Sequence, residues 1–185
     1  VPIKDVKTFI RAMRRVVNQM PAAEGWIAGP EDEDRAYAQE CHDLVRSLGL
    51  ENHVRFLGFQ KVDDLMPKIG LTILSSISEA LPLVILEGYA AGVPTISTDV
   101  GSCRQLIEGL DDEDRAIGPS GAVVPIADPQ ALADAALALI GNHDAWQAAS
   151  DAGIRRVERY YTDVLMFGHY RKVYEKALGQ RGEAG

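Results

Sequence analysis

The sequence predicts an α/β fold, namely a Rossmann-like, doubly wound parallel sheet with helices on both faces. Up to residue 127, short apolar runs of strand length alternate with longer segments whose apolar residues recur at helical spacing. Strands joined by single helices require right-handed crossovers, which bury a parallel sheet on both faces. From residue 128 onward helix follows helix, which predicts a helical C-terminal segment over residues 128–178.

The first helix and strand have clear boundaries in the sequence. Asp5 is a good N-cap, apolar residues recur at helical spacing behind it, and Pro21 stops the pattern. A helix is therefore expected over residues 5–19. The next apolar run, residues 25–29, ends in Gly-Pro and is expected to be a buried strand.

The alternation continues through residue 74. The acidic run 31–34 suits the positive N-terminal end of a second helix, and Gly49 suits its C-cap. The elements expected next are a strand at 53–57, a turn at Gly58, a short helix at 62–69 and a strand at 71–74.

The remaining elements complete the sheet and the helical segment. Pro82 belongs to the first turn of a helix expected over residues 83–91, and Gly92 ends that helix. The elements expected after it are a strand at 94–98, a helix at 102–108, an acidic loop at 111–114, a strand at 122–124, helices at 129–140, 143–160 and 163–178, and a flexible tail at 179–185.

Composition and charge exclude several classes of function. The 185 residues include 27 Asp and Glu against 19 Lys and Arg, so the formal charge is −8 and no basic stripe is left for nucleic acid. The longest apolar run, near residues 81–86, is far short of the roughly 20 residues that a membrane-spanning helix needs. Cys41 and Cys103 are interpreted as buried free thiols in a reducing cytosol, which predicts a cytoplasmic location. No second His or Cys stands at metal-ligand spacing beside them, so no zinc site is expected. No Asp-x-Asp stands at the end of an expected strand, so no divalent metal is expected, and no other cofactor is expected either.

The strongest candidate site follows the third expected strand. In an open parallel sheet, ligands bind beyond the carboxyl ends of the strands. Glu79 stands there, just before a helix N-terminus, and Glu87 follows eight residues later. At about 100° per residue, eight steps return to within about 80° of the start, so the two carboxylates are expected to face one crevice.

The chemistry expected at this crevice is that of a nucleotide-sugar. The backbone amides of Leu83 and Val84, at the helix N-terminus, would bind phosphate. The carboxylates would accept hydrogen bonds from the hydroxyls of a sugar. The alternative is that Glu79 is only a favourable charge at a helix start and Glu87 only a solvated helix residue.

The same region resembles a known family of enzymes. Residues 78–101 resemble the E-x7-E region of retaining glycosyltransferases of the GT-B group 1 family, also called family four. Three further blocks match in the right order. They are Lys4-Asp5 for the family's Arg-x-x-x-x-Lys-Gly/Asp element, residues 54–58 for its V-x-F-x-G strand, and residues 123–133 for its closing L-V-P…D-P-x-A-L-A segment. The sequences of residues 1–5 and 101–107 are most similar to those of the PelF-like exopolysaccharide branch.

The resemblance implies the donor-binding, C-terminal domain of a transferase. Such an enzyme moves a sugar from a nucleotide-diphosphate sugar, with UDP favoured here, to a glycan or another acceptor, with same-face attack assisted by the departing phosphate. The catalytic candidates are Lys4, implied to neutralise the donor diphosphate, and Glu79, implied to contact the donor sugar. Glu87 is implied to hold the ribose hydroxyls, and Gly58-Phe59 to meet the base. The residues implied to bind the phosphates are Ala80, Leu81, Pro82, Leu83 and Val84.

Three departures from the family pattern affect this interpretation. Ala80-Leu81-Pro82 replaces the frequent Gly-Phe-Gly, which leaves fewer flexible donors in the phosphate loop. Gln105 stands where the family usually has Glu. The family's phosphate-binding Arg should lie upstream of Val1, on a first strand that is missing here.

The chain is expected to be one domain, residues 1–178, cut from a longer protein. Its first residues show neither an initiator Met nor a leader pattern. The N-terminal acceptor domain of the same protein would then be its partner, and the fragment alone would bind donor weakly and transfer nothing. The last two helices are expected either to leave an apolar face for that domain or to form an ordinary core-facing stripe. That face consists of Val157, Tyr160, Tyr161, Leu165, Phe167, Tyr170 and Val173. Peripheral membrane association of the full enzyme stays open.

Two rival functions also stay open. A GT-B sugar-nucleotide epimerase would share the fold and the nucleotide chemistry but not the E-x7-E block. A non-catalytic Rossmann-like binding or interaction module would have lost its ligand, although Lys4, Glu79 and Glu87 are all intact. A dehydrogenase and a P-loop protein are disfavoured, because neither G-x-G-x-x-G after a strand nor G-x-x-x-x-G-K-[ST] occurs.

Overall fold

The computed structural model describes the backbone of residues 1–182 and the side chains of residues 1–178. The strands in this part of the chain are β1 (Gly25–Ala28), β2 (Val54–Gly58), β3 (Thr72–Leu74), β4 (Thr95–Thr98) and β5 (Gly121–Val124). The helices are α1 (Val6–Gln19), α2 (Arg35–Ser47), α3 (Val62–Leu65), α4 (Leu83–Ala90), α5 (Cys103–Glu108), α6 (Asp112–Arg115), α7 (Pro129–Ile140), α8 (His143–Tyr160) and α9 (Asp163–Gly182). Short 3₁₀ helices lie at Pro2–Lys4 and Met66–Lys68.

Side-chain caps fix the starts of the long helices. Asp5 accepts a hydrogen bond from the amide of Thr8 at 3.3 Å and begins α1. Asp34 does the same for α2 through the amide of Tyr37, at 3.0 Å. Each cap satisfies a backbone donor that has no partner inside the helix. The acidic run 31–34 therefore precedes α2, and only its last residue caps the helix.

All strand pairs are parallel, which confirms the predicted α/β class. The strands form two groups, because β1 pairs with β2 and β4 lies between β3 and β5. No hydrogen-bonded ladder joins β1 to β3 in the described residues, although both groups pack against one apolar core. The alternation of elements predicted one sheet, but it contains no information about which strands become neighbours.

Helices cover the two faces of these strands. On one face, α1 packs against α2 and α7, and the strands contribute Ile27, Ile73 and Ile96 to the same core. The second core cluster lies among α4, α5 and α8 and includes the fully buried Tyr89. The predicted buried free thiols are confirmed. They are Cys41 in the first core and Cys103 in the second.

Two predictions about short segments are wrong. The helix expected at 62–69 ends as an α-helix at Leu65 and continues as a 3₁₀ turn, because Pro67 has no amide to continue the α-helical pattern. The acidic loop expected at 111–114 forms α6 instead, which Asp111 caps through the amide of Asp114.

The C-terminal helix is longer than predicted. It was expected to end at Leu178, but α9 continues to Gly182. Of the predicted flexible tail, residues 183–185 lie outside the described part. Within that part, no helix combines the length and apolar character needed to cross a bilayer.

Of the last two helices, α8 has a core-facing apolar stripe and the described part of α9 does not. Val157 and Tyr161 pack against the second core cluster. In α9, by contrast, every described side chain is exposed, including Phe167 at 62% and Tyr170 at 57%.

Candidate functional site

A cleft of about 720 Å³ lies between β1 and β3. The ends of both strands, the N-terminal turns of α1, α2 and α4, and the loop before α4 line it. Most of the lining is apolar, as with Phe9, Ile27 and Ile73. The charged residues that line the cleft are Lys4, Glu31, Glu33, Asp34 and Glu79. The cleft therefore includes the carboxyl end of β3, where the sequence predicted a site.

Lys4 and Glu79 are 75 residues apart in the sequence and form an ion pair in this cleft. The Lys4 Nζ lies 2.7 Å from the Glu79 Oε1, and the Ser76 hydroxyl donates to the same oxygen at 2.7 Å. The Glu79 side chain is 13% exposed and that of Lys4 is 52% exposed. The structure thus brings the two predicted catalytic candidates together.

The pKa of the Glu79 carboxyl lies below its ordinary value. Burial alone would raise this pKa, but the hydrogen bonds from Lys4 and Ser76, together with the positive charge of Lys4, outweigh burial. Glu79 is therefore a carboxylate at neutral pH. It can accept hydrogen bonds and cannot serve there as a proton donor.

Two hydrogen bonds join the segment that carries Lys4 to the segment that carries Glu79. The Ser75 hydroxyl donates to the Lys4 carbonyl at 3.0 Å, and the Ile77 amide donates to the Ile3 carbonyl at 2.9 Å. These contacts fasten the 3₁₀ turn before α1 to the loop after β3. Sequence reasoning missed Ser75 and Ser76 as individual contributors. The signal was their position after a predicted strand, but spacing does not reveal where a serine hydroxyl points.

The N-terminus of α4 opens onto the same cleft. Its N-cap is Pro82, which supplies no side-chain acceptor. The amides of Leu83 and Val84 donate no hydrogen bond to any described group, and both residues line the cleft. Free amides and the positive end of a helix dipole suit an anion such as phosphate. Leu81 and Pro82 line the cleft as well, whereas Ala80 is not among the lining residues.

Glu87 belongs to the second turn of α4, away from the loop that carries Glu79 in the sequence. It is exposed on α4 and is not among the residues that line the cleft. Eight helical steps do not connect the two residues, because α4 begins only at Leu83 and Glu79 belongs to the preceding loop. A ribose-binding role for Glu87 remains a prediction.

The residues predicted to meet the base also lie outside the cleft lining. Gly58 ends β2 with φ of 63°, a left-handed conformation that suits glycine. Phe59 follows it and is 80% exposed. This exposed aromatic ring, beside the carboxyl end of a strand, is available for stacking on a base. Contact of Gly58 and Phe59 with the base stays a prediction.

The described side chains form no cluster of three His, Cys, Asp or Glu residues that could hold a metal ion. The anionic groups of a ligand would instead meet the Lys4 ammonium and the free amides of α4. The expectation that no metal is needed remains a prediction.

Known proteins resemble this chain in both sequence and fold. An exopolysaccharide phosphotransferase of Streptomyces coelicolor is 30% identical over 99% of the chain and 18% of its own length. The N-acetyl-alpha-D-glucosaminyl L-malate synthase of Bacillus anthracis is 27% identical over 95% of the chain and 43% of its own length. The chain thus spans less than half the length of these relatives.

A solved structure confirms the GT-B type of fold. The Anabaena protein HepE, crystallised with UDP and glucose, matches 95% of this chain and 46% of its own chain, with a TM-score of 0.78 and 22% identity. The family model described as "Glycosyl transferases group 1" matches residues 1–142. Assignment to the PelF-like branch stays a prediction. The chain belongs to the group 1 glycosyltransferase family.

Proposed function

We propose that this chain is the donor-binding domain of a retaining glycosyltransferase that uses a nucleotide-diphosphate sugar. The observation that carries the proposal is the Lys4–Glu79 pair, which lines one cleft together with the free N-terminus of α4. A cation and free amides suit the diphosphate, and an ionised carboxylate suits sugar hydroxyls. No phosphate or base alone would use both kinds of group.

UDP is the proposed nucleotide. The Anabaena protein HepE, with the same fold, was crystallised with UDP and glucose and also with UDP-glucose. This similarity supports a sugar donor that carries uracil. The resemblance of residues 1–5 and 101–107 to the PelF-like branch supports the same base. The acceptor is proposed to be a glycan or another hydroxyl compound, since the relatives include an exopolysaccharide phosphotransferase and a phosphatidyl-myo-inositol mannosyltransferase.

In the proposed reaction, the bond between the anomeric carbon and the diphosphate oxygen breaks. Lys4 and the amides of Leu83 and Val84 stabilise the negative charge that develops on the leaving diphosphate. The acceptor hydroxyl forms its new bond on the same face of the sugar, and its proton passes to the departing phosphate oxygen. Glu79 holds the sugar and leaves proton transfer to the phosphate.

The proposal includes a further strand and a further domain of a longer protein. The edges of β1 and β3 that face the cleft pair with no described strand, and apolar side chains lie between them. One parallel strand of an upstream segment would fit this position and could carry the family arginine. The acceptor domain would also lie upstream, in a protein proposed to act in the cytoplasm or at the surface of its membrane.

Calorimetry tests the donor site. UDP, GDP, ADP and their glucose conjugates are titrated into the 185-residue chain. We expect one base to bind with saturation, and we expect Lys4→Ala to weaken binding about tenfold or more, because a hydrogen bond to a charged group contributes about 1.5–3 kcal/mol. Lys172→Ala, on the exposed face of α9, is the matched control and should bind as the parent chain does.

Two further results decide between the rival functions. Glu87→Ala weakens binding if the ribose role is correct and leaves it unchanged if Glu87 is only a solvated residue. If a chain extended upstream through the proposed strand still binds no sugar nucleotide, the transferase proposal is wrong. The non-catalytic module then becomes the better description.

A further inference from the structure

We propose that the turn after β4, residues 98–102, positions the Glu79 carboxylate, and that Gly101 is the residue that permits this contact. The inference deepens the proposed function and depends on it for the role of Glu79. Gly101 is therefore assigned as a positioning residue, since its own atoms need not touch a ligand. The relevant contacts are between backbone groups that neither motif nor spacing predicted.

Gly101 packs directly against the peptide that follows Glu79. A Cβ atom at position 101 would lie 2.2 Å from the Glu79 carbonyl oxygen and 2.6 Å from the Ala80 carbonyl oxygen. Both distances are far below van der Waals contact, and both atoms belong to the backbone. Gly101 also has φ of 51°, which only glycine adopts without cost. Any side chain here would push the loop of Glu79 away from the turn.

Two hydrogen bonds join the same turn to both ends of this loop. The amide of Ser102 donates to the Ala80 carbonyl at 2.9 Å. The buried Thr98 hydroxyl donates to the Ser76 carbonyl at 2.5 Å. Ser76 in turn donates its hydroxyl to Glu79. The loop from Ser76 to Ala80 is thus fixed before and after Glu79 by one turn of the neighbouring strand.

This arrangement has a direct chemical consequence. The Glu79 oxygen meets the Lys4 ammonium and the Ser76 hydroxyl only while the loop keeps this position. A shift of the loop would lengthen both contacts and would move the carboxylate relative to a bound sugar. Any effect on contacts with the nucleotide would be the same for UDP and for UDP-glucose, and it cancels in the ratio of the two affinities. The ratio therefore reports the contact between Glu79 and the glucose.

The first experiment compares Gly101→Ala with Gly49→Ala. Gly49 has φ of 62°, close to that of Gly101, but a Cβ atom at position 49 would have no neighbour within 4 Å. Both variants therefore place alanine at a left-handed φ, and only Gly101→Ala meets the Glu79 loop. In the proposed site, Gly101→Ala lowers the affinity for UDP-glucose relative to UDP by about ten- to a hundredfold, since a hydrogen bond to a charged group contributes a factor of about this size to binding. Gly49→Ala leaves the ratio unchanged.

The second readout needs no ligand. A carbon-13 NMR titration of the glutamate carboxyls follows Glu79 directly. In Gly101→Ala, the pKa of Glu79 should rise toward the ordinary value, because its contacts with Lys4 and Ser76 are lost. In Gly49→Ala, the pKa should stay where it is in the parent chain. A purely structural role for Gly101 would lower stability without moving this titration.

A second position keeps the inference testable if Gly101→Ala fails to fold. Thr98→Val removes the hydroxyl that binds the Ser76 carbonyl and nearly keeps the shape of the side chain. Thr98→Ser restores the hydroxyl. We expect Thr98→Val to shift both the affinity ratio and the Glu79 titration, and Thr98→Ser to return both toward the parent values.

The outcomes separate this inference from the proposed function. If the parent chain and its upstream-extended form bind no sugar nucleotide, the proposed function fails, while the Glu79 titration still tests the positioning. If the parent binds donor but Gly101→Ala and Thr98→Val change neither readout, the positioning role is overturned and the donor site stands.

Discussion

The ion pair with Lys4 should control the pKa of the Glu79 carboxyl. Its pKa is held down by Lys4 and Ser76 against the opposing effect of burial. Replacing Lys4 by Met removes the charge and the hydrogen bond but keeps most of the side-chain length. The pKa of Glu79 should therefore rise, and carbon-13 NMR titration of the carboxyl measures the change.

The sign of the accompanying stability change follows from the direction of the shift. A carboxyl with a lowered pKa in the folded state stabilises the fold above its unfolded pKa, and this contribution is lost as the pH falls through the folded pKa. The Lys4→Met chain should thus lose less stability than the parent chain when the pH falls below the ordinary glutamate pKa. Ser78→Ala, an exposed neighbour, is the control. Equal acid sensitivity in Lys4→Met and the parent would contradict the assignment.

The candidate site was only partly predictable from residues. Lys4 and Glu79 could be named, because each falls in a motif whose chemistry is recognisable in the sequence. The contribution of Ser76 could not, since it depends on the direction of one hydroxyl in a loop. The position of Glu87 relative to Glu79 could not be derived from helical geometry, because Glu79 precedes the helix, which starts at Leu83.

At the scale of elements, α6 and α8 are joined by a buried ion pair. The Arg156 Nε lies 2.7 Å from the Asp114 Oδ1, and both side chains are almost completely buried. The other guanidinium hydrogens bond to the Ser120 hydroxyl and to the carbonyls of Ile107, Asp114 and Gly118. Every donor of this buried guanidinium therefore has a partner, as burial of a charge requires.

Arg156→Met should be strongly destabilising. It leaves the Asp114 carboxylate buried without its counter-charge, and breaking such a pair from one side costs about 3–5 kcal/mol. Arg159→Met on the same helix is the matched control, because Arg159 pairs with Glu113 at the exposed surface and such a pair is worth about 0–1 kcal/mol. Urea unfolding followed by circular dichroism measures both free energies. Similar losses for the two variants would contradict the importance assigned to burial.

This pair also shows what sequence patterns cannot provide at the element scale. The bounds of α8 were predicted correctly, and the structure adds that Asn142 caps its first turn. The run 111–114 was interpreted as a solvated acidic loop, because nothing local distinguishes Asp114 from its exposed neighbours. Its partner lies 42 residues away, and only the packing of α8 over β5 brings Arg156 to it.

At the scale of the molecule, the alternation of elements was sufficient to predict a parallel α/β fold. It could not predict that β1 and β3 stand apart with a cleft between them, since spatial strand order depends on long-range packing. It also could not decide whether the last helix faces a core. The amphipathic spacing of α8 matches the burial of one of its faces, whereas every described side chain of α9 is exposed.

The exposure of α9 leads to a prediction about the whole chain. Ending the chain after Thr162 removes only residues whose described side chains are all exposed, and hydrophobic stabilisation scales with buried area at about 25 cal/mol per Å². The free energy of unfolding should therefore change by less than about 1 kcal/mol, and the affinity for a sugar nucleotide should stay the same. Ending the chain after Asn142 also removes the buried Arg156 and Ala152 of α8, so this control should not fold. Both chains are compared by urea unfolding. A loss of several kcal/mol in the first truncation would mean that α9 packs against the domain, and its apolar surface would then be part of the core rather than a face left open for another domain.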